Sequence, residues 1–159
     1  MRTLRYEICD VFTDRPLTGN ALAVFTDAEG LDEATMQALA REMNLSESAF
    51  VVRPSQPEAD AGIRIFTPTM ELPFAGHPTL GSAFVLAAAS GTEIIRLETR
   101  RGIVPVRLTR AADRIVFGWM TQPLPRLSVY PAQAELLGAL GVASSGLPVE
   151  LYEIGRAHV

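Results

Sequence analysis

The sequence predicts an α+β fold in which a curled, mostly antiparallel sheet wraps around one central apolar helix. Three observations predict it. Residues 78–89 include Leu80, Ala83, Phe84, Val85, Leu86, Ala87, Ala88 and Ala89 and leave almost no polar face, the pattern of a helix buried on all sides. Short β-rich segments come in consecutive runs, not in strict alternation with helices, which argues against a doubly wound parallel sheet. The chain has 159 residues, 48% hydrophobic and 20% charged, enough to bury a core as one domain or one lobe.

The elements follow in order. Residues 4–12 read as a strand, with Tyr6 and Ile8 alternating against Glu7 and Cys9, and 13–20 as a turn-rich loop. A short apolar strand covers 21–26. Asp32 is a fitting N-cap for a helix through Met43, where Met36, Leu39, Ala40 and Met43 make an amphipathic stripe. Asn44 ends it. Residues 48–52 form a short strand and 54–60 a polar loop. In the strand 61–67, Ile63 and Ile65 share one face and Arg64 and Phe66 the other, and Pro68 stops it. The apolar helix spans 78–89 and closes at Ser90-Gly91. Three strands follow, 93–99, 103–109 and 114–119, the first two joined as a hairpin at Arg100-Arg101-Gly102. Pro123 and Pro125 interrupt the pattern. A short helix over 132–140 and a strand over 149–154 complete it.

Composition excludes several classes of function. The net charge of −4 gives no electrostatic reason to expect nucleic acid or an anionic membrane as partner. The apolar run near 83–89 is too short to span a bilayer. The lone cysteine, Cys9, has no partner for an internal disulfide, and inside a strand it reads as a small buried hydrophobe. A reducing cytoplasm is the expected compartment. One Cys and two His residues give no spaced metal cluster, so neither a metal nor another cofactor is expected. No nucleophile elbow and no glycine-rich phosphate loop occur. Acid/base chemistry on a small anionic molecule, or binding alone, is left.

The stretch from Met70 to Gly81 carries the strongest signal. Gly76 lets backbone approach a ligand, and Pro78 suits the first turn of a helix. His77 therefore falls at a helix N-terminus, where free N–H groups and the dipole favour an anion. A lone histidine there is also commonly structural, bonded to a backbone carbonyl. Glu47 follows the first helix at a helix-to-strand turn and can point from the sheet rim into a cleft. Sheltered by apolar neighbours, such a carboxylate shuttles protons near neutral pH better than a solvated one. By spacing alone, a solvated surface acid is the commoner reading. Glu71 could be a second acid near His77 but reads more readily as a solvated charge, Asn20 reads as a turn residue that could offer its amide to a substrate, and His158 as frayed and inert.

Four segments resemble the phenazine-biosynthesis PhzF-like isomerases of the diaminopimelate-epimerase-like fold. They are Asp10–Thr13 with Gly19–Val24, then Ala40–Val51, Phe66–Gly81 and Met120–Pro123, in the family's order. The resemblance implies that Glu47 takes a proton from a substrate carbon and returns it at another. It implies that His77 and the Gly76 backbone N–H hold the substrate's polar groups. Relatives of that fold use paired cysteines, but Ala75 stands before Gly76 where they carry one, so a two-thiol racemase is not expected. The family is built of two similar lobes. The resemblance identifies 1–159 as the N-terminal lobe, closed by its last strand, with the second lobe and its Asp-Pro-Ala-Thr-Gly-Ser type segment absent. The expected function is cofactor-independent isomerisation of a small carboxylate, in a homodimer whose second subunit supplies the other wall. The alternative is a non-catalytic lobe acting as a binding or assembly module.

Overall fold

The computed structural model of the chain describes residues 2–88, 90–122 and 124–153. They divide into two compact units, one up to Gln122 and the other within 123–154. The first holds an eight-stranded sheet and two helices. Its strands are β1 (Tyr6–Val11), β2 (Asn20–Phe25), β3 (Glu47–Val52), β4 (Ala61–Phe66), β5 (Glu71–Leu72), β6 (Ile94–Thr99), β7 (Gly102–Ala111) and β8 (Arg114–Met120). Helix α1 is Glu33–Met43 and α2 is Gly76–Ala87. The strand order is β1-β2-β3-β4-β6-β7-β8, with β5 paired to β4. β2–β3 and β4–β6 pair in parallel and the other neighbours antiparallel. Each parallel pair is joined by a connection that contains a helix, as a crossover requires.

The sheet curls because α2 sits inside it. α2 touches β1, β2, β3, β4, β6, β7 and β8, both ends of the strand order, which a flat sheet cannot arrange around one helix. Two glycines set the spacing. A Cβ at Gly81 would stand 2.7 Å from a Leu22 methyl and 2.8 Å from a Val11 methyl. A Cβ at Gly118 of β8 would stand 2.6 Å from the Phe84 ring and 2.7 Å from Leu80. Helix and strands therefore approach more closely than any side chain at either position permits.

Alternation along each strand separates two layers. Ile63 and Ile65 point inward with Leu97, Val106 and Leu108 onto Ala83 and Ala87 of α2. Phe25, Phe50 and Phe66 point outward beneath Met36 and Ala40 of α1. Phe25 and Phe50 stack at 4.6 Å between ring centroids, and Phe66 meets Phe50 edge-on at 5.4 Å. Helix α1 is capped as expected, with the Asp32 carboxylate accepting from the Thr35 N–H at 2.7 Å and Asn44 in the left-handed region at φ 50°.

The α+β architecture and the wrapped apolar helix agree with the sequence reading, with three corrections. α2 begins at Gly76, not 78, because the Thr79 N–H and hydroxyl both bond the Ala75 carbonyl, at 3.3 Å and 2.8 Å. Its expected end at Ala89 lies outside the described residues. α2 is not covered all round either: Leu80 and Phe84 are half-buried and line a cleft of about 770 Å³ between β1 and β8. The two-residue β5 was not anticipated; its length carries no alternation to read.

The second unit pairs β9 (Arg126–Val129) antiparallel with β10 (Glu150–Glu153) and carries α3 (Gln133–Ala139). None of the residues of α3 is buried. No helix among the described residues is long and apolar enough to cross a membrane.

Glycine-to-alanine in a helix ordinarily stabilises by about 1 kcal/mol. Here the sign reverses: Gly81→Ala is expected to lower unfolding stability by about 1–3 kcal/mol through overpacking, read as a lower urea midpoint at unchanged slope. Cys9, packed beside Val11 and Leu22, gives a second expectation. Burial, with Asp10 and Glu7 nearby, pushes its thiol up to about 11. Iodoacetamide should therefore label the folded chain much more slowly at neutral pH than the urea-unfolded chain. Because the folded-state value is raised, the thiol's contribution to stability is present below the unfolded value and lost as pH rises towards about 11.

Candidate active site

Strand alternation carries the first acid of the site. Ala49 and Val51 of β3 face α2, whereas Phe50 and Val52 face α1. Glu47 opens β3 opposite Leu22 of β2 and shares the parity of Ala49, so its side chain enters the α2 side of the sheet. It is a strand residue, not the turn residue expected, and its exposure is 0%. On β2, Asn20 shares the parity of Leu22 and Val24 and faces the same side.

The helix brings the other partner. Ala75 caps α2 without a side-chain hydrogen bond, and Gly76 and His77 form the first turn. His77 is 4% exposed, and its Nε2 lies 3.6 Å from Glu47 Oε2. Its Nδ1 lies 3.2 Å from Asn20 Nδ2, and the Ser46 hydroxyl donates to Asn20 Oδ1 at 2.9 Å. The four expected residues thus converge: Glu47 and His77 are buried, Gly76 adjoins His77 in the chain, and Asn20 faces the imidazole, both half-buried. A Cβ at Gly76 would meet only the Met120 methyl, at 3.8 Å, so a ligand atom has room beside the helix start. The Phe12 ring stands 6.5 Å from the imidazole, centre to centre, and is exposed.

The site is built from amides, an imidazole and a carboxylate. A helix start favours an anion, and a carboxylate beside it repels one unless the two take different parts of the ligand. The arrangement suits a molecule with an acidic group for the helix end and a C–H bond for Glu47.

Glu71 is not the solvated charge the sequence suggests. Its side chain is 7% exposed and pairs with Arg64 at 2.6 Å and Arg100 at 2.7 Å. Hydrogen bonds to Glu71, then to Glu33, hold the Arg64 proton more tightly than in a free guanidinium, against its partial burial. The cluster ties β4, β5 and the β6–β7 turn to the start of α1 and takes no part in the site. Ser46, which no sequence pattern marks as a site residue, joins the site through Asn20. Its place between Asn44 and Glu47 was the available signal. His158, with the chain end expected to close the lobe, lies outside the described residues.

The family model for phenazine biosynthesis-like proteins (PhzC-PhzF) matches residues 9–159. A trans-2,3-dihydro-3-hydroxyanthranilate isomerase of Pseudomonas aeruginosa is 50% identical over 155 residues, covering 98% of this chain and 55% of the relative. Among solved structures, a predicted epimerase of Pseudomonas aeruginosa superposes with a TM-score of 0.79 at 38% identity, over 92% of this chain and 54% of that one. A hydroxyproline epimerase of Agrobacterium vitis, at 14% identity and a TM-score of 0.58 over 69% of this chain and 40% of that one, shares the fold. The chain spans about half the length of the curated relatives it matches. With most of its length matched and half its residues identical to a family member, the chain belongs to the PhzF-like phenazine biosynthesis family.

Proposed function

We propose that the chain forms the proton-transfer wall of a cofactor-independent isomerase acting on a small carboxylate. One observation carries the reading: a strand and a helix start distant in sequence bring Glu47 and His77 within 3.6 Å, buried, with room for a ligand atom at the neighbouring Gly76. In the reaction, a substrate C–H bond breaks and its proton passes to a Glu47 carboxylate oxygen. The electron pair enters the substrate's conjugated system. The protonated Glu47 then delivers the proton to a different carbon, so nothing is oxidised and the protein is regenerated. The Gly76 N–H and the His77 imidazole hold the substrate's polar groups. Both ends of the Asn20 amide are engaged within the protein, so its contribution to binding runs through the imidazole. The relatives' named substrate, trans-2,3-dihydro-3-hydroxyanthranilate, has the required acid and conjugation and is the first to assay.

A carbanion-like intermediate needs a second wall to keep water away. In this reading the described residues are one lobe's wall, and a second copy of the chain supplies the other. The exposed Phe12, Phe117 and Trp119, at 67%, 54% and 66%, support a face that is covered in the working protein. Light scattering should then give the mass of a dimer; a monomer at working concentration contradicts this part. The working location is the cytoplasm.

Replacing Glu47 by Gln keeps size and hydrogen-bonding capacity but removes the base. Turnover is expected to fall about 10²–10⁴-fold. Thermal stability should hold or rise, because a buried carboxylate is costly to keep. A non-catalytic binding or assembly module gives the opposite pattern, with function intact and stability the quantity that moves. Intact turnover in Glu47→Gln overturns the assignment.

A further inference from the structure

Asn20 and Ser46 make no expected contact with a reacting carbon, yet their geometry constrains the proton on His77. A neutral imidazole carries one proton, on Nδ1 or on Nε2, and the partner of one nitrogen decides where it sits. Asn20 presents its Nδ2 to His77 Nδ1 at 3.2 Å, and an amide nitrogen only donates. Nδ1 must then accept with its lone pair, and the proton resides on Nε2, the nitrogen 3.6 Å from Glu47.

Ser46 engages the other end of the amide. Its hydroxyl donates to Asn20 Oδ1 at 2.9 Å. Ser46 directly precedes Glu47 at the head of β3, and Asn20 opens β2, the strand that pairs with β3 in parallel. The sheet register thus places the tautomer-setting pair and the carboxylate on adjacent strand ends, both facing the first turn of α2. The order is hydroxyl, amide, imidazole, carboxylate, each donor facing the next acceptor.

We infer that Asn20, hydrogen-bonded to Ser46, is a positioning residue that fixes His77 as the Nε2–H tautomer, so that the imidazole presents a hydrogen-bond donor to Glu47 and the substrate site. This rests on the reading of Glu47 and His77 as the pair that handles the substrate. The donor matters to that reading: an Nε2 lone pair facing a carboxylate would repel it and offer nothing to a substrate oxygen. The 3.6 Å separation is longer than a hydrogen bond, and catalytic contacts of this kind commonly shorten when substrate binds.

The test reads the proton directly and needs no turnover, so its outcome is independent of the activity of Glu47→Gln. In a His158→Gln background, His77 is the one remaining histidine. Long-range ¹H–¹⁵N spectra of the ¹⁵N-labelled chain, at mildly alkaline pH, separate protonated from unprotonated ring nitrogens. The expected spectrum shows an unprotonated Nδ1 and a protonated Nε2. Asn20→Asp replaces the donor with a carboxylate, which accepts, and is expected to move the Nδ1 resonance to the protonated type. Ser46→Ala, which loses only the hydroxyl, is expected to leave His77 folded in place but sampling both tautomers. A wild-type chain with its proton on Nδ1 overturns the inference without any variant. So does a folded Asn20→Asp protein whose Nδ1 stays unprotonated. If the spectra are as expected and Glu47→Gln still turns over, the tautomer stands and the catalytic reading falls.

Discussion

The close approach between α2 and the sheet is the constraint on which the rest depends. At Gly81 the helix meets β1 and β2, and at Gly118 strand β8 meets the helix, with no room for a Cβ at either point. Contacts on both sides of one helix force the strand order to bend around it. They also fix how far α2 is inserted, and so where its first turn ends up. Seated there, Gly76 and His77 lie at the head of β2 and β3. A helix displaced outward by one added methyl at either glycine would carry the imidazole away from Glu47.

Two layers of chemistry are built on this seat. The lower layer is buried: a carboxylate from the sheet and an imidazole from the helix, within 3.6 Å. The upper layer is half-buried: the Gly76 backbone, at a helix N-terminus whose Ala75 cap makes no side-chain hydrogen bond. In the proposed reaction the helix start attracts the acidic end of the substrate and the Glu47 carboxylate repels it, which would leave a C–H bond facing that carboxylate. Ala75 keeps the cap position small and apolar, so the acid/base work cannot pass to a thiol there, and Cys9, pushed up to about 11, is a poor substitute.

Much of the fold was legible because its signals are local. The apolar run from Leu80 onward announces a helix packed inside the sheet, the Asp32 cap and Asn44 stop bracket α1, and alternation of Ile63 and Ile65 against Arg64 and Phe66 gives the faces of β4. Positions that depend on partners were harder. Glu71 reads as solvated until Arg64 and Arg100 close over it. The start of α2 shifts from Pro78 to Gly76 because the Ala75 carbonyl accepts from both the N–H and the hydroxyl of Thr79, a pairing that Pro78 masks in the sequence. The open side at Leu80 and Phe84 follows from how far the sheet curls, a long-range property invisible to periodicity. At the site, Glu47, Gly76 and His77 are candidates through family resemblance more than through spacing, and Asn20 through its place after a turn. Ser46 acquires meaning only when β2 and β3 are set side by side.

The central claim is that the α2 N-terminus and the buried pair beneath it form one acid-binding wall. Titration of the ¹⁵N-labelled chain with 3-hydroxyanthranilate, the oxidised analogue of the relatives' substrate, tests it most directly. The Gly76 amide and the His77 ring signals should shift together along one binding curve, with Asn20 following. Shifts that leave Gly76 and His77 unmoved while residues elsewhere respond, or no shift at all, would contradict it.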